Sequence, residues 1–131
     1  MEKQLPFDKG TINYTVKGNG PDVVFLHGFL EDLSIWDDFS NRLSSKYRVV
    51  SIDLPGFGKS SVFSTNHTME LMAESVNHVL LSEKISVCMV VGHSMGGYVA
   101  LALAELFPEK IKGVVLFHSH AGEDDESAKI N

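Results

Sequence analysis

The chain has 131 residues, 44% of them hydrophobic and 21% charged, with a formal net charge of −6. That length suits one domain with its own core, and the acidic balance, with no basic cluster against it, excludes a nucleic-acid surface. No apolar run is long enough to span a membrane, and Met1 to Pro6 lack the basic-then-apolar pattern of a secretory signal. The single cysteine, Cys88, offers no internal disulfide, so the expected compartment is the cytoplasm.

Residues 1–20 are expected to form a β-hairpin. Thr11 to Val16 alternates and is rich in β-formers, and Gly18-Asn19-Gly20-Pro21 is a strong turn signal. Asp22 to Leu26 is a short continuous apolar run, which predicts a strand buried on both faces, and it closes on His27-Gly28-Phe29. Ser34 is the expected N-cap of a helix through about Ser45, with Asp37 as its capping-box partner. Ile35, Phe39 and Leu43 share a face at four-residue spacing with Trp36 beside them, which predicts core packing. Tyr47 to Ile52 is the next strand, closing on Asp53-Leu54-Pro55-Gly56-Phe57-Gly58-Lys59-Ser60. Thr68 caps an expected helix over Met69 to Leu81, whose buried face is Leu71, Met72, Val76, Val79 and Leu80.

A third apolar strand, Val87 to Val91, stops at Gly92 and is followed by a helix carrying Val99, Leu101, Leu103 and Leu106. That helix ends at Phe107 because Pro108 cannot continue it. Ile111 to Phe117 is the last strand, and Cys88, inside the apolar one before it, reads as a buried inert thiol. Strands alternating with helices in this way predict an α/β fold, a mostly parallel sheet with helices on both faces. Working residues of such sheets lie on loops at the strands' carboxyl ends. Those ends carry His27 to Phe29, Asp53 to Ser60, Ser94, and His118 to His120.

Gly92-His93-Ser94-Met95-Gly96 is Gly-x-Ser-x-Gly set between a strand and a helix. A serine there must occupy a strained turn for its hydroxyl to project above the sheet. A Cβ at either flanking glycine would collide as the backbone doubles back. The N–H of Met95, at the start of the helix, then faces a developing oxyanion.

With this elbow, the His27-Gly28-Phe29 turn and the Asp53 to Ser60 loop in order, the chain resembles the N-terminal half of an α/β-hydrolase-fold protein of the serine-nucleophile branch, ending after the sixth strand. The resemblance implies that Ser94 is the nucleophile and that the backbone N–H groups of Phe29 and Met95 form the oxyanion hole. It places His27, Gly28, His93 and Tyr98 around the substrate, the two histidines supporting loops without acting as the base. Relatives that open epoxides or displace halides carry aspartate at the elbow. The serine therefore implies acyl transfer, as in esterases, thioesterases, lactonases and carbon–carbon hydrolases of diketones, on a small apolar substrate without a cofactor.

The family order, serine then acid then histidine, implies that both partners and the cap lie beyond Asn131. His118, His120, Asp124 and Asp125 read as rim residues and a solvated acidic run. The 131-residue chain is accordingly expected to be inactive by itself. Its last strand is expected to be an open edge that pairs with another copy or with a complementary C-terminal fragment. Two other readings compete. Gly-x-Gly-Lys-Ser at Gly56 to Ser60 hints at a phosphate loop, but Asp53 takes the place of its first glycine and Pro55 removes a backbone donor. A catalytically incomplete ligand-binding or interaction module is the other alternative. No His or Cys pair has the spacing of a metal site.

Overall fold

The runs of valine, isoleucine and phenylalanine assemble into one six-stranded sheet in a computed structural model that describes residues 1–63 and 66–117. Its strands are β1 (Glu2–Phe7), β2 (Gly10–Lys17), β3 (Asp22–Leu26), β4 (Arg48–Ile52), β5 (Cys88–His93) and β6 (Ile111–Phe117), in the spatial order β1-β2-β4-β3-β5-β6. β1 and β2 form the expected hairpin, turning at Asp8 with a φ of 53°. Gly18 to Pro21 does not close a hairpin: β2 pairs antiparallel with β4, and β3 lies on the far side of β4. From β4 through β3 and β5 to β6 the pairing is parallel, with Val24 opposite both Val50 and Val90, and Val90 opposite Val114.

Side-chain alternation along these strands divides the core in two. Val24, Leu26, Val50, Ile52 and Val90 pack with Met72, Val76, Val79 and Leu80 of α2 (Met69–Ser82) and Val99 and Leu103 of α3 (Met95–Leu106). Val23, Phe25, Val49 and Val91 face the other way, against Trp36. Thr68 caps α2 as expected, its hydroxyl accepting from Leu71 N at 3.0 Å. In α3, Leu101 and Leu106 are exposed, unlike Val99 and Leu103.

The segment after β3 departs from expectation. A 3₁₀ turn, Leu33–Trp36, precedes the short α1 (Asp37–Leu43), and its cap is Asp32, whose carboxylate accepts from Ser34 N at 2.9 Å. Three residues per turn in that stretch rotate Ile35 off the face that uniform α-helical spacing predicts. Ile35 and Phe39 are therefore exposed, and Trp36 enters the core, stacked on Phe25 at 4.6 Å between ring centroids. At the other margin, β6 has β5 as its one strand partner among the described residues.

Candidate active site

Because β3, β4 and β5 run parallel, the residues that follow them, His27, Asp53 and Ser94, lie on one rim of the sheet. Between β5 and α3 the chain reverses at Ser94, which is exposed and has φ 56° and ψ −114°, a conformation costly for any residue with a Cβ. Both flanking glycines are required by space. A Cβ on Gly92 would stand 2.6 Å from Gly97 N, and one on Gly96 would stand 2.6 Å from the His27 carbonyl oxygen. The turn is pinned on both sides, Ser94 N donating to Phe117 O at 2.9 Å and Gly97 N to Ser94 O at 2.8 Å. Among the described residues, the N–H of Met95 has no acceptor, so it is available where α3 begins.

A second free N–H comes from the loop after β3. His27 is fully buried, its Nε2 accepting from Leu54 N at 2.9 Å. The proton therefore resides on Nδ1, which donates to the Gly28 carbonyl at 2.7 Å. Burial lowers the His27 pKa and favours this neutral form. The Glu31 N–H also donates to that carbonyl, at 3.2 Å. In a trans peptide the C=O and the next N–H point in opposite directions. With the Gly28 oxygen held inward, the Phe29 N–H turns away from His27, and among the described residues it too has no acceptor. His27, which the resemblance placed near the substrate as a support for its loop, has both ring nitrogens committed beneath that loop.

Gly28 stands in close quarters: its N–H donates to Glu31 Oε1 at 2.6 Å, and a Cβ on it would lie 2.9 Å from His93 Nδ1. His93 is half-buried, with Nδ1 2.9 Å from the same Glu31 oxygen. Phe29 and Tyr98 are largely exposed on the rim, the Phe29 ring lying edge-on to Phe57 at 5.6 Å. Beside the elbow, Glu31, Ile35, Trp36, Phe39, His93 and Phe117 line an open groove of about 370 Å³.

Asp53 organises the remaining loop. Its carboxylate accepts from Leu33 N at 2.8 Å, from Asn13 Nδ2 at 3.0 Å and from Lys59 N at 3.0 Å. The Ser60 hydroxyl donates to Asp53 O at 2.6 Å, and the Lys59 amine pairs with Glu2 at 3.1 Å. Gly-x-Gly-Lys-Ser is folded around its own aspartate, with the Gly56, Lys59 and Ser60 N–H groups already donating to Ser61 O, Asp53 and Phe57 O. Cys88 is buried, its thiol pushed up to about 11 by that burial. Among the described residues no cluster of three His, Cys, Asp or Glu could hold a metal, and no helix is long and apolar enough to cross a membrane.

Among the described residues no side chain is hydrogen-bonded to the Ser94 hydroxyl; His118, His120, Asp124 and Asp125 lie outside them. Glu31 and the three-way role of Asp53 escaped sequence reasoning. The available signal was an acidic residue three positions after Gly28, which pattern alone does not distinguish from a solvated one.

Residues 21–130 match the sequence family described as the alpha/beta hydrolase fold. The chain is 41% identical over 106 residues to the dihydrolipoyllysine-residue acetyltransferase component of the acetoin cleaving system of Cupriavidus necator, covering 80% of this chain and 28% of that protein. It is 37% identical over 112 residues to a pimeloyl-[acyl-carrier protein] methyl ester esterase of Nitrosomonas europaea, covering 83% of this chain and 41% of that one. A thioesterase domain from the curacin biosynthetic pathway superposes with a TM-score of 0.83 at 31% identity, over 96% of this chain and 49% of the other. The chain therefore spans less than half the length of each.

Proposed function

Since the chain belongs to the α/β-hydrolase fold family, we propose that it carries the nucleophile of a hydrolase for carboxylic esters or related acyl compounds. Ser94 is the residue behind this proposal: an exposed hydroxyl on a strained strand-to-helix turn, with the N–H groups of Met95 and Phe29 unclaimed nearby. The Ser94 oxygen attacks the acyl carbon and gives its proton to a base, and the former carbonyl oxygen accepts hydrogen bonds from those two N–H groups. Expulsion of the alcohol or thiol, which takes up that proton, leaves an acyl-enzyme. Water then repeats the sequence and frees the acid. Each oxyanion donor of this kind is worth ~10²–10³ in kcat.

His27 cannot be the base, because both its nitrogens are engaged below the loop. We assign that role, and that of the acid that orients it, to residues of the full-length protein other than His118, His120, Asp124 and Asp125. A serine hydroxyl without its base is a weak nucleophile at neutral pH. The 131-residue chain alone is therefore proposed to turn over esters poorly. The esterase and thioesterase relatives support an acyl substrate, and the exposed rings of Phe29 and Tyr98 favour an apolar one.

A reactive phosphonate ester applied to the full-length protein, which carries the base, and followed by peptide mass spectrometry tests the assignment. The adduct is expected on Ser94 and nowhere else, and Ser94→Ala is expected to abolish it. Labelling elsewhere, or ester turnover that survives Ser94→Ala, would overturn it. Ligand binding without any Ser94 adduct would favour the interaction-module alternative.

A further inference from the structure

We infer that Glu31 is a positioning residue whose single carboxylate couples the oxyanion loop to the nucleophile elbow. The inference builds on the assignment of Ser94, Phe29 and Met95 above. One oxygen, Glu31 Oε1, accepts from Gly28 N at 2.6 Å and meets His93 Nδ1 at 2.9 Å. Gly28 immediately precedes Phe29, and His93 immediately precedes Ser94, so the carboxylate joins the two residues adjacent to the reacting groups. Hydrogen bonds to a charged acceptor are shorter and about twice as strong as neutral ones.

The backbone around this contact explains why such a tie is needed. Leu30 has φ 62° and Ser94 has φ 56°, both non-glycine residues in the left-handed half of backbone space. Such conformations persist only where surrounding contacts enforce them. The loop turn is closed by Glu31 N to Gly28 O at 3.2 Å, and the Glu31 side chain then returns over the turn to Gly28 N. Space is tight at that point: a Cβ on Gly28 would lie 2.7 Å from Glu31 Oε1 and 3.1 Å from the His93 carbonyl oxygen. Glu31 Oε1 is therefore one of the points at which loop and elbow meet, beside the packing of Gly96 on the His27 carbonyl, and its displacement moves the Phe29 and Met95 N–H groups relative to each other.

Glutamine in place of Glu31 keeps a carbonyl oxygen for Gly28 N, whereas leucine keeps the bulk and removes the acceptor. In amide spectra of the ¹⁵N-labelled chain, Glu31→Leu is expected to shift Gly28 and Phe29 together with Ser94, Met95 and Gly96, and Glu31→Gln to restore most of that pattern. His93→Leu, changing only the elbow side, is expected to shift the Gly28 and Phe29 amides in turn. In the full-length protein, phosphonylation of Ser94 should slow by about 10- to 100-fold in Glu31→Leu, the cost of a misplaced oxyanion donor, and recover in Glu31→Gln. Elbow amides that stay in place in Glu31→Leu, or loop amides that stay in place in His93→Leu, would overturn the coupling. A full-length wild-type protein, with base and acid present, that is never phosphonylated would count against the Ser94 assignment instead, with the spectra still deciding the coupling. Urea midpoints of each variant separate local displacement from general loss of fold.

Discussion

Replacing Gly96 by alanine sets two known effects against each other in the first turn of α3. Helix propensity alone favours alanine by at most about 1 kcal/mol. Against this, the added methyl would meet the backbone carbonyls that end β3, standing 2.6 Å from His27 O and closer still to Leu26 O. Backbone atoms at a strand end cannot rotate aside, so helix and strand must separate, and overpacking of this kind costs about 1–3 kcal/mol. The net expectation is destabilisation by about 1–2 kcal/mol, or roughly 3–8 °C in Tm for a chain of this size. Gly97 is the internal control. Its added Cβ would press on the Leu116 side chain at 3.2 Å, which can yield by a rotation, with Gly92 O at an ordinary contact distance of 3.7 Å. Gly97→Ala is therefore expected to be neutral or stabilising by up to about 1 kcal/mol. Urea unfolding followed by circular dichroism, with m-values compared, reads both variants. Equal effects from the two substitutions, or stabilisation by Gly96→Ala, would refute the claim that close approach of α3 to β3 sets the elbow.

Three further outcomes follow from other parts of the fold. His27 is buried as the neutral imidazole with its pKa lowered, so the unfolded chain binds more protons below about pH 6.5 and stability should fall as pH drops from there towards the folded pKa. His27→Gln should flatten that part of a urea-midpoint-against-pH curve, and an unchanged slope would show that His27 is not the linked group. Ser94→Gly should raise the unfolding free energy by about 1 kcal/mol, read as a higher urea midpoint, since strain of about 1–3 kcal/mol is relieved against an extra glycine entropy of about 0.5–1 kcal/mol. A loss of stability would mean that Ser94 is not strained. Finally, β6 has β5 as its one strand partner among the described residues, and we propose that its open edge pairs with a second copy or a complementary fragment. Small-angle scattering of the 131-residue chain should show mass growing with concentration, and a strict monomer throughout would count against the proposal.

Local chemistry made much of the frame legible. Pro108 stops α3 whatever surrounds it, Thr68 caps α2 with its own hydroxyl, and continuous valine-rich runs have few alternatives to buried parallel strands. The region after β3 was less legible because two competing caps, Asp32 and Ser34, lie two residues apart. Asp32 accepts from the Ser34 N–H, a 3₁₀ turn replaces the first α-helical turn, and Ile35 and Phe39 are left outside the core that Trp36 enters. Sequence spacing presumes one helical period, and a change of period within four residues defeats it.

The elbow marks the same boundary. Gly-x-Ser-x-Gly between an apolar run and a helix marks where Ser94 turns sharply, because at Gly92 the constraint is steric and local, an added Cβ meeting Gly96 and Gly97, whereas at Gly96 the neighbour is the end of β3. Tertiary structure alone decided what holds the oxyanion loop against it. The tautomer of His27 is set by Leu54 N, 27 residues away in sequence, and the carboxylate of Glu31 reaches His93 across 62. Hydrogen bonds between residues so far apart depend on β3, β4 and β5 lying side by side, a relation that no local pattern encodes.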